Sequence, residues 1–515
     1  MFAGAMAIAF SCIAGAPSAQ AAACSDPLSA IAALPGSVSA TLDFNSLRRF
    51  YGGSGGVCVW SAADAATLIK ALTAVGEQGL DPRDFHLAEL KGSDAIRDAR
   101  ARDLLLTDAA LRYARDMRNG RLELESIESD IDFPRPVTDP VAGLRDAFAT
   151  HSLAAWLASL PPSQPEYARL VVAYARYADM AAKGGWAMLD APAKAVKSGE
   201  ASPLVPTLRR RLAAEGDLDA ADASATGSRL DGALVAALKR FQDRHGLSAD
   251  GVVGRKTLEA LNVAAADRAA QIAVNLERWR MLSGAISPTR VEVNAAAATA
   301  KLIVGGAPVL EMRAVVGKKK TPTPILRSVI SSIVVNPPWV VPSSIMRKEI
   351  LPALTREPDY LEKNDMYWRD NQIVQAPGER NSLGRIKFEL SSSFDVYLHD
   401  TPARRLFARD DRARSHGCVR LEKPLALAEH LLGNDTGWPR ERIEGVIADG
   451  KTQRIPLTDE VPIVIVYWTS FVDEDGTVEF RDDIYGRDER LLDALRQHRF
   501  AQSGEPAAAA KSCGA

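Results

Sequence analysis

The spacing of apolar residues along this chain changes near residue 290, and the change divides it into a helical part and a strand-rich part. Ahead of that point apolar positions recur at helical spacing: Ala65, Leu68, Ile69 and Leu72 share a face, as do Leu104, Leu105, Ala109, Leu111 and Ala114. An acidic, proline-punctuated stretch at 127–140 reads as a loop, and the helical pattern resumes at Tyr167, Leu170, Ala173 and Tyr174. Residues 208–212, 234–242 and 257–262 predict three short helices punctuated by glycines. A further helix at 271–282 places Ile272, Asn275, Leu276 and Trp279 on one face.

From Arg290 the period falls to two. Residues 291–293, 300–304 and 309–316 predict successive antiparallel strands, with Gly305-Gly306-Ala307-Pro308 as a hairpin turn. The lysine- and proline-rich stretch 317–324 breaks them and reads as a solvated turn. An insertion then opens at Trp339, carries a short helical part and exposed aromatic residues (Tyr360, Tyr367, Trp368), and closes near Asn381. It is longer than an ordinary surface loop. Beyond it lie an alternating run at 394–398, an amphipathic helix at 424–433, a buried strand at 462–468, and a turn at 473–476 before Val478. The fold class expected is multidomain α+β.

The candidate chemistry sits in two stretches, Tyr397-Leu398-His399-Asp400-Thr401-Pro402 and Ser415-His416-Gly417-Cys418-Val419-Arg420-Leu421. A cysteine nucleophile attacks as thiolate, so it needs a base nearby. Two histidines are available, His416 close in sequence and His399 at the end of the strand-like run. Gly417 permits a tight turn in which backbone N–H groups face a ligand and can hold an oxyanion.

His399, fifteen residues, then Ser415-His416-Gly417-Cys418 resembles the signature of the YkuD-type L,D-transpeptidases, cysteine acyltransferases of bacterial peptidoglycan. The resemblance implies Cys418 as nucleophile and His399 as general base, with Ser415, His416 and Gly417 shaping the acyl site. Where many short members have Asn, this chain has Arg420, which is similar to the long YcbB-like branch. Its guanidinium either binds a substrate carboxylate or pins the turn. Tyr397 joins the Gly417 and Cys418 N–H groups as an oxyanion candidate, and Trp339 is a candidate substrate contact. In the long members the insertion looks like a cap over the site, so residues 337–381 are expected to be one.

Other stretches resemble the same long form. Phe50-Tyr51-Gly52-Gly53, Val59-Trp60 and Gly79-Leu80-Asp81-Pro82 are similar to its N-terminal scaffold, and Phe241-Gln242 with His245-Gly246-Leu247 resembles the core of the three-helix peptidoglycan-binding module. The expected organisation is a signal peptide at 1–23, a helical scaffold at 24–200, the wall-binding module at 201–265 and a helical linker at 266–288. The catalytic domain follows at 289–470, then an extension at 471–500 and a disordered tail at 501–515.

Composition narrows the partners. A chain of 515 residues with 47% hydrophobic content and a formal net charge of −2 is globular and carries no electrostatic signature of a nucleic-acid partner. Its apolar, Ala-rich start ends in an A-x-A-like site and reads as a secretory signal, although it lacks a basic n-region. That implies the periplasm, with lipid anchoring at Cys24 as the alternative. Of five cysteines, Cys24 and Cys58 can pair in an oxidising compartment and leave Cys418 free. His245 has no second ligand at metal spacing, and Asp473-Glu474-Asp475 lacks the full calcium-loop pattern, so neither metal nor cofactor is expected. The implied partners are peptidoglycan tetrapeptide stems as donor and acceptor. Two further classes stay open: an L,D-carboxypeptidase using the same thioester, and a non-catalytic wall-binding scaffold.

Overall fold

The computed structural model describes residues 26–503 apart from 54–55, 93–95, 135–136 and 434–436. The candidate leader, Cys24 and residues 504–515 lie outside the described residues. The architecture is the expected α+β arrangement: helices up to Leu282, then a strand-rich unit. Cys58 is disulfide-bonded.

The N-terminal helices gather around α1 (Ala99–Asn119), whose Leu104, Leu105, Ala109 and Met117 are fully buried. Buried Asp103 on α1 explains the Phe50-Tyr51 and Val59-Trp60 stretches. It accepts from the Tyr51 hydroxyl at 2.7 Å and from the backbone N–H groups of Val59 and Trp60 at 2.9 Å each. The next long helix, α2 (Pro165–Ala182), turns Tyr167, Leu170 and Tyr177 into the same core as the strand-rich unit.

Three short helices follow, α3 (Val205–Glu215), α4 (Gly232–Arg244) and α5 (Arg255–Leu261), around a core of their own. The amide of Gln242 joins them to the intervening loop, donating to Asp250, to the Val252 carbonyl and to Thr257 at 2.8 to 3.1 Å. His245 caps α4 and is buried between the rings of Phe241 and Phe480, at centroid distances of 3.9 and 5.4 Å. The Phe-Gln-x-x-His-Gly-Leu stretch therefore faces inward, toward the strand-rich unit.

That unit is built from β1 (Ile131–Asp132), β2 (Arg290–Asn294), β3 (Thr299–Val304), β4 (Ala307–Gly317), β5 (Ile325–Val335), β6 (Trp339–Val340), β7 (Met366–Arg369), β8 (Gln372–Gln375), β9 (Ile386–Leu390), β10 (Leu398–His399), β11 (Ala413–Ser415), β12 (Val419–Leu421), β13 (Gln453–Val466), β14 (Ser470–Val472) and β15 (Val478–Phe480). The order β5-β13-β2-β3-β4-β12-β10-β9 closes on itself because β9 also pairs β5; β1 adds to β5 and β11 to β4. Side chains alternate in and out of such a barrel. Val293, Ala314, Phe388, Leu398, Val419, Leu421, Ile463 and Ile465 point inward and are fully buried. β6, β8 and β7 form a separate small sheet in the insertion.

The run 394–398 forms less strand than its alternation predicts, since β10 contains only Leu398 and His399. Local side-chain bonds hold the preceding residues instead: Ser392 Oγ accepts from Phe394 N at 3.1 Å, and Ser393 Oγ donates to Asp132 at 2.6 Å. Such bonds compete with ladder pairing.

Residues 266–288 are more than a connector. Their helix, α6 (Ala265–Leu282), is buried on most sides, charged residues included. Glu277 accepts from Arg121 N at 2.6 Å, Arg121 Nε at 3.1 Å and Arg280 Nη1 at 3.1 Å. Arg280 also donates to the Gln78 carbonyl, Asn275 to Thr469 Oγ1 and Arg278 to Asp488. One helix thus ties the N-terminal helices to the barrel and the C-terminal segment. Burial pushes the Glu277 carboxyl up, but Arg121 and Arg280 outweigh it and hold it below the usual carboxylate range. Removing one member of a buried ion cluster costs about 3–5 kcal/mol, because the remaining charges lose their partner. Glu277→Ala should therefore lower the unfolding temperature markedly at neutral pH. The native carboxyl's contribution is lost as pH falls through its depressed folded value, so the gap between variant and wild type should narrow in acid. Thermal unfolding followed by circular dichroism at both pH values checks this.

Candidate active site

β10 and β12 pair in parallel with Leu398 opposite Val419 and His399 opposite Arg420. One residue earlier, the same register sets Tyr397 beside Cys418, and Val419 N donates to the Tyr397 carbonyl at 3.1 Å. Since Leu398 and Val419 fill the barrel, their neighbours Tyr397, His399, Cys418 and Arg420 share its outer face. The structure thereby brings together four of the eight site residues singled out in the sequence.

Cys418 is a free, half-buried cysteine. Its Sγ faces the Asp395 carbonyl at 3.8 Å, with the Tyr397 hydroxyl nearby and Trp339, at the base of the insertion, beside that hydroxyl. Burial raises the thiol above its ordinary value, while Tyr397, Lys387 and Arg420 oppose that rise. Burial, then the charge on Cys418, likewise raises the Tyr397 hydroxyl.

His399 is buried, and burial followed by the Arg420 guanidinium lowers it to about 3. Its Nδ1 lies 2.5 Å from the Asp400 carbonyl, an acceptor that requires the proton on Nδ1 and leaves Nε2 as the basic nitrogen. Among the described residues no hydrogen bond joins His399 to Cys418. The resting pair is therefore a neutral thiol beside a neutral imidazole.

The turn carrying Cys418 is braced from below. Ser415 Oγ donates to the Cys418 carbonyl at 2.6 Å and accepts from Gly417 N at 3.1 Å. That occupies one of the two backbone donors expected at the oxyanion site, whereas the Cys418 N–H has no partner among the described residues. Gly417 adopts φ 121°, a conformation that favours glycine. Thr323 Oγ1 donates to the Gly417 carbonyl at 2.8 Å, and the Tyr485 hydroxyl donates to the Gly317 carbonyl at 2.6 Å. A Cβ on Gly317 would come within 2.2 Å of the Thr321 carbonyl oxygen, so the neighbouring turn can pass only a glycine.

His416 points away from Cys418. Its Nε2 lies 2.6 Å from Glu349 Oε1 and 3.3 Å from Lys318 Nζ. Glu349 belongs to a π-helical turn, Met346–Ile350, where Pro352 lacks the N–H needed to continue the ordinary ladder. The insertion has a small core of Val341, Ile350, Met366 and Ile373, and it touches the site through Trp339 and Glu349.

Arg420 is half-buried, with Nε unsatisfied and no carboxylate partner among the described residues. Sequence reasoning missed Lys387, whose Nζ lies 4.4 Å from the Tyr397 ring centroid, together with Glu349, Lys318 and Thr323. Only the lysine-rich turn gave a signal, and it read as solvated surface. A cavity of 560 Å³ on β2–β4, lined by Trp279, Glu292, Lys301 and Trp468, does not include Cys418 or His399.

A family model described as the L,D-transpeptidase catalytic domain matches residues 288–463, which contain every residue just described except Trp279, Trp468 and Tyr485. The chain carries a YkuD-type L,D-transpeptidase domain. Models of a putative peptidoglycan-binding domain and a scaffold domain match residues 201–261 and 45–173. A putative L,D-transpeptidase of Haemophilus influenzae is 36% identical over 204 residues, covering 36% of this chain and 41% of that relative. Solved L,D-transpeptidases from Stackebrandtia nassauensis (13% identity, 54% of this chain and 95% of that one, TM-score 0.21) and Xylanimonas cellulosilytica (17%, 54% and 100%, TM-score 0.17) are also similar, at scores that carry no further weight.

With its thiol raised and its imidazole neutral, this YkuD-type site should be slow toward alkylating agents near neutral pH. Iodoacetamide labelling of Cys418, read by peptide mass, should rise only above the ordinary thiol value of about 8.5 and show no inflection where a free histidine titrates, near about 6.5.

Proposed function

We propose that the protein is a periplasmic L,D-transpeptidase that forms 3-3 cross-links in peptidoglycan through a Cys418 thioester. The observation that supports this is the parallel pairing of β10 with β12, which sets a free thiol, an imidazole and an unpaired guanidinium on one face of a YkuD-type domain.

In the reaction, Cys418 Sγ attacks the carbonyl of the L-centre in a tetrapeptide stem. His399 swings into hydrogen-bond reach and takes the thiol proton as the S–C bond forms. The tetrahedral oxyanion is held by the Cys418 N–H and the Tyr397 hydroxyl, with the Gly417 N–H joining once Ser415 releases it. Collapse breaks the C–N bond, the proton passes to the departing amine, and D-Ala leaves. The side-chain amine of a second stem then attacks the thioester; an amide forms, the C–S bond breaks, and the proton returns to sulfur through His399. A neutral imidazole is free to accept a proton, and the thiolate formed beside it stabilises the imidazolium.

Arg420, lacking an internal carboxylate partner, is placed to bind a carboxylate of the donor stem. Trp339 and the insertion cover the acyl site and keep water from the thioester. The module at 201–261 and the scaffold hold the catalytic domain on its polymeric substrate.

Incubation with disaccharide-tetrapeptide should yield a cross-linked dimer with release of D-Ala, both abolished in Cys418→Ala, as read by mass spectrometry of products and intact protein. Loss of D-Ala without dimer would make the enzyme a carboxypeptidase, and no reaction by the parent would leave a wall-binding scaffold. Glu349→Ala, which frees the insertion from His416, should raise the ratio of hydrolysed to cross-linked product several-fold, by about 1 kcal/mol of lost contact.

A further inference from the structure

β9 runs antiparallel to β10 with Lys387 opposite His399, so Lys387 shares the outer face with Tyr397 and His399. The intervening Phe388 is fully buried in the barrel, which confirms that parity. Lys387 Nζ stands 4.4 Å from the Tyr397 ring centroid, inside cation–π range. Its carboxylate neighbour, Glu389, is 3.4 Å away but is also held by Ser332 at 2.7 Å and Arg454 at 2.8 Å. Glu389 therefore divides its charge between two cations, and Lys387 keeps positive charge toward the site. Arg420 stands on the other side of β10, opposite His399, so His399 lies between two cations.

We propose that Lys387 is a positioning residue for the reaction above: its ammonium clamps the Tyr397 ring so that the hydroxyl stays beside Cys418 Sγ, and its charge favours the thiolate. The proposal rests on the reading of Cys418 as nucleophile. The groups facing Sγ are the Tyr397 hydroxyl, the Asp395 carbonyl and, by charge, Lys387 and Arg420; His399 stands beside it on β10. On the same turn, His416 is engaged by Glu349 and Lys318. Both Lys387 and Arg420 pull the thiol down against burial, and both hold His399 neutral. If Lys387 served packing alone, an unbranched apolar side chain would do as well.

The test is iodoacetamide labelling of Cys418 in the full chain, read by peptide mass across pH, for wild type, Lys387→Met and Lys387→Arg. In Lys387→Met the profile should move up by about one pH unit, making labelling near pH 8 about tenfold slower. Lys387→Arg should stay within about twofold of wild type, because it keeps the charge over the ring. A Lys387→Met profile that coincides with wild type overturns the proposal, and so does an equal displacement in both variants. Should Lys387→Met not fold, Lys387→Gln is read in the same way. Labelling needs no substrate: a wild type that makes no product sinks the proposed reaction and leaves the profiles standing, while coinciding profiles sink the role of Lys387 and leave cross-linking intact.

Discussion

Parallel pairing of β10 with β12 decides which side chains can meet at this site. In a parallel ladder, residues in register project to the same side, so opposing His399 to Arg420 also sets Tyr397 beside Cys418. A slip of one residue would turn Cys418 into the space now filled by Val419 and leave an apolar side chain on the outer face. The slip is resisted from within the barrel, where Leu398, Val419 and Leu421 are fully buried and each would lose about 2 kcal/mol of transfer energy on exposure. The energy that holds the register is thus spent on the inner face, and the polar residues outside are carried by it.

Burial also sets the charge state of the outer face. Desolvation favours the neutral form of both an acid and a base, so the thiol rises and the imidazole falls, and the pair rests without charge. In the proposed reaction the fixed cations Arg420 and Lys387 matter most at the moment negative charge develops, whether on sulfur or on the oxyanion. Below Cys418, the hydrogen bonds of Ser415 and Thr323 hold a turn that only glycine at 417 enters without strain. Above it, Glu349 fastens the insertion to His416, and Trp339 stands beside Tyr397.

Placement of the helical units follows a different device. Buried charges on α6 are satisfied by groups from the N-terminal helices, the barrel and the C-terminal segment at once, as with Glu277 between Arg121 and Arg280. Such clusters add little net stability compared with apolar packing, but they penalise any arrangement that leaves one charge alone. The three-helix unit adds a second attachment, with His245 between Phe241 and Phe480.

Much of this was legible in the chain itself. The change of apolar period marked where helices give way to strands, because burial on one face imposes 3.6-residue or 2-residue spacing wherever the element lies. The His399 to Cys418 spacing and the Ser-His-Gly-Cys turn marked the candidate site, since tight turns and nucleophiles use few residue types. The extent of β10 was overestimated, because hydrogen bonds of Ser392 and Ser393 replaced the ladder that alternation implied. Lys387 and Glu349 could not be found at all, since nothing in their own neighbourhoods distinguishes them from surface residues, and Lys318 and Thr323 lie in a lysine-rich turn that read as solvated surface. Their proximity to Tyr397, His416 and Gly417 exists only after the barrel closes and the insertion folds back over it. The sequence by itself thus determined the elements, the nucleophile candidate and the residues of its turn, all of which depend on local spacing. Tertiary structure alone decided the charge around the thiol and the fastening of the insertion, because those arise between segments far apart in the chain.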